Sequence, residues 1–431
     1  MNIRVEIAKN SSGLYTEKLQ SAIDAVHNAG GGKVTVESGT YLTGTLWLKS
    51  NVELHLKHGA MLLGSPDIKN YNELDAYSQN YSCEAEGWQG NHLIIAHECE
   101  NVAITGLGTI NGNGFEFMSE MSVNNDEYRV LNYPWRYGTA REKVPGIWRP
   151  GQMVCFIECK NVNILNVTFS HSPCWTVFLH GCENVNINGV RIYNPHYWLN
   201  TDGIDIDCCR FVTVSNCNIQ TGDDAITFRG VSKYLKNKEK VCEFVTVTNC
   251  VLSASASAFR IGVGTAAIRN ITVSNIAISR AGIGINFFPE WANTSHTPLD
   301  YISFSNITAA ETGRLIELNI SNNTPCRHIA LNGISGNACS AVRMVSKNSG
   351  AVSDITLNSI SATAIDDTSA YTTDDTPEAP DGRFFHCAGI ENLNILNCRI
   401  AVENSIAAKL LKTVDIENNT NAAVQNCSFN K

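Results

Sequence analysis

No apolar run in the 431 residues approaches 18, which excludes a transmembrane helix. The first residues, Met1-Asn2-Ile3-Arg4-Val5-Glu6-Ile7, lack both an apolar h-region and a small-residue cleavage pattern. As written, the expectation is a cytoplasmic protein, or a secreted one if a leader has been cut away. An excess of positive charge is also missing. The formal net charge is -9, so nucleic acid and anionic membrane are not expected partners, although a local basic patch can still hold an anionic sugar. Charged residues make up only 17% of the chain against 43% hydrophobic, a balance that speaks for an ordered chain over a disordered one. Helical periodicity is confined to one short stretch, and Asn-Gly hairpin signals are few. Helical solenoids and β-propellers therefore fit poorly.

What the chain does have is a pattern of ten residues. It reads Lys160-Asn161-Val162-Asn163-Ile164-Leu165-Asn166-Val167-Thr168-Phe169, and returns from Glu183, Arg210, Glu243, Arg269 and Asp300. Further copies begin at Glu100, Arg327, Ser353 and Glu391. Starts are roughly 23 to 38 residues apart, inside the range of solenoid repeats. Each copy alternates apolar and polar residues with period two, bends at Asn or Gly, and resumes. Such a unit buries its apolar face only by stacking on its neighbours. The expected fold is all-β: a parallel β-helix of one domain over residues 1–431, with Val and Ile inward and Asn ladders at the bends.

A solenoid of this kind needs a cap. Leu19, Ala22, Ile23 and Val26 recur at helical spacing and are followed by Gly30-Gly31-Gly32, which predicts a short N-terminal capping helix at about 13–28. Two stretches leave the repeat. Residues 111–151 carry aromatics among charges, suited to a cleft wall that stacks on sugar rings. Residues 366–383 are acidic and rich in Thr and Pro, suited to a solvated loop. Sixteen cysteines raise the question of a disulfide framework, but Cys217, Cys250 and Cys398 stand where the repeat expects an inward apolar residue. Reduced, buried thiols are expected. Neighbouring Cys208 and Cys209 would point to opposite faces of a strand, which fits neither a zinc site nor a routine disulfide.

The chemistry concentrates between Asn200 and Arg229. Asn200-Thr201-Asp202-Gly203-Ile204-Asp205 and Gly222-Asp223-Asp224 set carboxylates beside apolar residues, where each charge needs solvent or a partner. Like charges held close drive one acid towards protonation and leave another ionised. A glycosidase needs that asymmetry, with one carboxyl protonating the leaving oxygen and another activating water or attacking. Asp202 and Asp223 are 21 residues apart, so one coil of a β-helix brings them to the same face, about 4.8 Å along the axis. Asp223 and Asp224 can share a cleft only if the chain bends after Gly222. The alternative reading is a calcium site or surface carboxylates in turns.

Together these motifs resemble glycoside hydrolase family 28, the polygalacturonases and rhamnogalacturonan hydrolases. The resemblance extends to Ala29-Gly30-Gly31-Gly32-Lys33-Val34-Thr35-Val36 with Gly39-Thr40-Tyr41-Leu42-Thr43-Gly44, to Ser172-Pro173-Cys174-Trp175-Thr176, and to Ser257-Ala258-Phe259-Arg260-Ile261-Gly262. It implies a right-handed parallel β-helix that cleaves α-linked pectic oligosaccharides with inversion and without metal or other cofactor. Asp223 matches the general acid, and Asp202 and Asp224 match the pair that activates water. Inversion comes from the resemblance alone, since adjacent-coil spacing lies nearer the roughly 5–5.5 Å of retaining enzymes. Two motifs depart from the polygalacturonase pattern. Ala256-Ser257-Ala258 stands for Gly-His-Gly, and Gly284-Ile285-Asn286 for Arg-Ile-Lys.

Basic groups occur instead as Arg229 and Arg260, expected either to grip a substrate carboxylate or to pair with the aspartates. Further candidates for substrate binding are Asn200, which is expected to orient Asp202 or stabilise the turn, and Asp205, His196 and Trp291. Asp205 and Asp207 would alternate outward from Ile204 and Ile206. His171 is a lesser candidate for the cleft, and Trp175 is expected in the core or cleft floor. An exo-acting hydrolase of imported oligosaccharides is the leading expectation. A β-helix lyase and a non-catalytic glycan-binding solenoid are the alternatives.

Overall fold

The computed structural model describes residues 1–6, 13–73, 75–81, 90–117, 142–144, 147–196, 198, 200–291, 294–348, 350–365 and 382–430. The chain divides into two compact units. Among the described residues, one holds those of 1–117, 142–222 and 232–240, and the other those of 223–231 and 241–430. Most of the two expected insertions, including Tyr128, Tyr133, Trp135, Tyr137 and residues 366–381, lies outside the described residues.

In the first unit three strands make each coil. Ile94–His97, Val154–Ile157, Val177–His180 and Ile204–Asp207 pair parallel and in register. So do Glu100–Gly106, Lys160–Leu165, Glu183–Asn188 and Arg210–Ser215. Val102, Val162, Val185 and Val212 thereby stack in one buried row, and Ile110, Phe169, Ile192 and Ile219 in another. Each such side chain contributes roughly 1.5–3 kcal/mol of burial. The period-two alternation is what places them all inward. The helix Thr16–Asn28 buries Leu19, Ala22, Ile23 and Val26 against the strands Asn2–Val5, Gly32–Val36, Leu46–Leu48 and Val52–Leu56. It ends where Gly30, Gly31 and Gly32 all take positive φ.

The second unit is built in the same way, with rows such as Val245, Ile271, Ile302, Ile329, Ile355 and Leu393. The coils turn at single residues in the left-handed region, which costs most L-residues roughly 1–2 kcal/mol and asparagine least. One bend is an asparagine ladder: Asn275 Nδ2 donates to Asn249 Oδ1 at 3.3 Å, and Asn306 Nδ2 donates to Asn275 Oδ1 at 2.7 Å. The first unit has its own ladder at Asn51, Asn101, Asn161 and Asn184.

The described cysteines are free thiols, all but Cys427 buried. Burial pushes the Cys182 thiol well above its ordinary value. Two sequence expectations are corrected. Cys208 is not a strand residue: it takes φ 50° at a bend, so both it and Cys209 are buried. Asp205 and Asp207 do not meet solvent, because the outer face of their sheet is itself covered. Tyr77, Ile95, Cys155, Ile157, Cys174, Trp175 and Phe178 form an apolar cluster that includes that face, which puts Trp175 in the core.

Candidate active site

In the first unit the site is organised by Asn194. Its Oδ1 accepts from the Ser172 amide at 2.8 Å, and its Nδ2 donates to Thr176 Oγ1 at 2.8 Å and to the Thr201 carbonyl at 3.2 Å. One buried amide thus joins Ser172-Pro173-Cys174-Trp175-Thr176 to the aspartate motif, and the Thr176 amide donates to the Asp202 carbonyl at 2.8 Å. Thr201 closes the next coil: its Oγ1 donates to the Trp198 carbonyl at 3.0 Å and accepts from the Gly222 amide at 3.0 Å. Only glycine fits at 222, since a Cβ there would lie 1.8 Å from the Trp198 carbonyl oxygen. Asp202, buried, is the covalent neighbour of Thr201, and Asp223 is that of Gly222.

Asn200 takes φ 55° and its Oδ1 accepts from Arg149 Nη2 at 2.9 Å. Arg149 is a buried cation that the sequence did not single out, because it ends the aromatic insertion and not a repeat. His196 is half-buried, with Nδ1 3.0 Å from the Thr221 carbonyl oxygen. Asp205 is fully buried, and Asp207 sits 3.5 Å from His180 Nδ1. His171 packs in an aromatic group with Phe115, Trp198 and Tyr193, and burial lowers its pKa.

In the second unit the chain bends at Asp223 and re-enters a strand only at Ile226, so the two aspartates are not successive strand residues. Both are buried, Asp224 completely. Asp224 Oδ1 accepts from the Ser257 amide at 2.7 Å, and its Oδ2 lies 3.3 Å from Arg260 Nη1. Both contacts are of the kind that stabilise an ionised carboxylate. Arg260 lies 5.8 Å from the ring centroids of both Phe288 and Trp291, a cation–π setting that holds its fork in place. Arg229 is buried in the strand Ile226–Gly230.

The two departures from the polygalacturonase pattern touch each other: Asn286 Nδ2 donates to Ser257 Oγ at 3.2 Å. Ser257 and Asn286 thus join the surroundings of Asp224, although the sequence marked the two positions as departures where His and Lys were expected. Arg260, Asn286, Glu317 and Arg343 follow in register along one face. Glu317 there bonds Arg314 at 2.5 Å and Arg343 at 2.7 Å. His386, Asp415 and Glu417 also bring ligand atoms within 4.8 Å of one another. Asp415 already has Arg383 at 2.7 Å and Lys412 at 2.8 Å, so protein cations meet its charge.

Residues 76–243 match the family model for glycosyl hydrolases family 28. A probable polygalacturonase of Vitis vinifera is 28% identical over 223 residues, 50% of this chain and 41% of its own. An exo-poly-alpha-D-galacturonosidase of Dickeya chrysanthemi is 28% identical over 240 residues, 50% of this chain and 39% of its own. The chain thus spans less than half the length of these two relatives. A family 28 exopolygalacturonase from Yersinia enterocolitica superposes with a TM-score of 0.66 at 16% identity, covering 98% of this chain and 79% of that one. At that identity the likeness shows the fold, a right-handed parallel β-helix. Residues 76–243, which hold the paired aspartate motifs, are thus similar to glycosyl hydrolases family 28.

Proposed function

We propose that the protein is a glycoside hydrolase that cleaves α-linked pectic oligosaccharides of galacturonate or rhamnogalacturonan type from a chain end. The observation that carries the proposal is the setting of Asp224. It is completely buried, held by the Ser257 amide and Arg260, and directly follows Asp223 at a backbone bend. The Gly222 amide bonded to Thr201 adds support, because it ties the residue before Asp223 to the residue before Asp202.

In this reading Asp223 is the general acid. It gives its proton to the glycosidic oxygen as the bond from C1 breaks. Water attacks C1 from the opposite face and loses its proton to the Asp202 and Asp224 pair, with inversion. Asn200 orients Asp202 and is itself steadied by Arg149. Arg260, set between Phe288 and Trp291, grips a substrate carboxylate or hydroxyls together with Arg229. His196, half-buried, completes the sugar contacts, whereas Asp205 is buried away from them. Exo action draws on the two relatives whose names state it, the Dickeya chrysanthemi and Yersinia enterocolitica proteins.

The test is to incubate the protein with a panel of pectic oligosaccharides and identify the first product by mass. Release of single residues from one end is expected. Mid-length fragments would overturn exo action. An unsaturated product absorbing in the ultraviolet would make the protein a lyase, and an untouched panel would remove the hydrolase reading.

A further inference from the structure

In the second unit the bend that opens each coil breaks its own rule. This bend takes positive φ at Phe244, Asn270, Tyr301, His328, Asp354 and Asn392. The flanking pairs are in strict register, Glu243 with Arg269, Asp300 and Arg327, and Val245 with Ile271, Ile302 and Ile329. These six residues therefore form one row. At the C-terminal end the row is an ordinary ladder, with Asn421 bonded to Asn392 and Asn392 to Asp354. Between Phe244 and His328 three rings replace asparagine, and two of them, Phe244 and Tyr301, are held in a conformation that suits asparagine and penalises bulky side chains. A residue held against its own backbone preference points to a function other than packing.

The rings do not compensate by burial. Phe244 is 47% exposed and Tyr301 57%. Tyr301 and His328 are stacked, centroids 4.4 Å apart and planes within 3°. Asp300 fixes the imidazole with a 2.7 Å contact to Nδ1. One face of Tyr301 is thus backed by His328, and the other faces along the row towards Asn270 and Phe244. Phe244 and Tyr301 are two rungs apart, about 9.6 Å at the usual strand spacing. Asn270, with a short side chain, lies between them. The result is an open groove of about 560 Å³ lined by Phe244, Thr246, Asn270, Thr272, Tyr301 and Ser303 among others.

We propose that this groove is a second saccharide-binding site, taking a neutral pyranose ring of a polysaccharide between Phe244 and Tyr301. A slot two rungs wide admits one ring between two aromatic groups. Aromatic walls match the C–H faces of a pyranose, and the Asn, Thr and Ser groups match its hydroxyl edge. The lining has no Lys or Arg, and its His328 is engaged by Asp300, so a uronate carboxylate finds no free cation among the lining residues. The site lies on a different bend of the coil from Ser257 and Arg260, and it does not depend on the hydrolase reading.

The experiment is affinity electrophoresis of the full chain through gels containing galactan, xyloglucan, galactomannan or polygalacturonate. The wild type and Tyr301→Asn are compared. Asparagine restores the ladder residue at a left-handed bend, so this variant is expected to melt no lower than the wild type, and lost binding cannot be ascribed to unfolding. The wild type is expected to be retarded by at least one neutral polysaccharide. Tyr301→Asn is expected to raise the apparent dissociation constant about tenfold, with turnover of short pectic oligosaccharides unchanged. Equal retardation of the two proteins, or none in any neutral gel, would overturn the site. Retardation by polygalacturonate alone that depends on Tyr301 would overturn the neutral sugar. A dimer that the substitution dissolves would make the groove a contact between copies instead.

Discussion

Arg260 Nη1 lies 3.3 Å from Oδ2 of Asp224, and neither side chain is more than a tenth exposed. Removing one member of a buried pair leaves the other charge without its counter-ion, which costs about 3–5 kcal/mol. Arg260→Gln is therefore expected to lower the urea midpoint clearly. Arg260→Gln with Asp224→Asn should recover part of that loss, since no buried charge is then stranded. Unfolding curves of the two single variants and the double variant test this. A single variant that unfolds with the wild-type midpoint would show that the pair contributes nothing.

The asparagine ladder makes a graded prediction. Asn275 takes φ 57°, donates to Asn249 and accepts from Asn306. Asn275→Gly keeps the backbone freedom but loses the side-chain bonds, while Asn275→Ala loses both. Alanine should cost about 1–2 kcal/mol more than glycine. Thermal melts that ranked alanine above glycine would contradict the role given to the left-handed bend.

Acid should weaken the fold through His92. Burial lowers its pKa to about 4 from an ordinary 6.5, against an opposing hydrogen bond at Nδ1 to the Gln152 carbonyl. The folded state then binds fewer protons than the unfolded state between those values. Its stabilising contribution is whole above pH 6.5 and is lost as the pH falls to about 4. With roughly 1.4 kcal/mol per unit, the loss is on the order of 3 kcal/mol. His92→Gln should flatten the dependence of melting temperature on pH across that window. An unchanged slope would assign the acid sensitivity elsewhere.

Gly222 should tolerate no side chain. A Cβ would meet the Trp198 carbonyl oxygen at 1.8 Å and Thr201 Oγ1 at 2.7 Å, so Gly222→Ala must displace backbone at the bend before Asp223. Overpacking of this kind costs about 1–3 kcal/mol. Turnover should fall well beyond the fraction of protein unfolded, as read by activity per folded molecule. Retained activity at native stability would mean that the Gly222–Thr201 closure does not position the acid.

Much of this was legible in the sequence because the β-helix repeats its physics. Val162, Val185 and Val212 announce an inward row by period alone, and the helix at Thr16–Asn28 follows from Leu19, Ile23 and Val26. The bend at Gly222 was inferred from the need for two adjacent aspartates to share a side. What local pattern does not carry is contact across coils. Arg149 reaches Asn200 over 51 residues, and Asn286 reaches Ser257 over 29. Arg149 belongs to no motif, and Asn286 marks only a departure from one. The burial of Asp205 and Asp207 was hidden for the same reason: the cover on that face includes Tyr77, from a segment with no repeat. Tyr301 and His328 belong to no local motif, and only the left-handed row puts them side by side.

The most direct measurement is the turnover of Asp223→Asn on a pectic oligosaccharide that the wild type cleaves, with substrate affinity and unfolding followed alongside. A fall in kcat of about 10²–10⁴-fold, at near-native affinity and stability, is the predicted result for the loss of a general acid. Wild-type turnover by Asp223→Asn would contradict the assignment of the acid, and with it the proposed hydrolase.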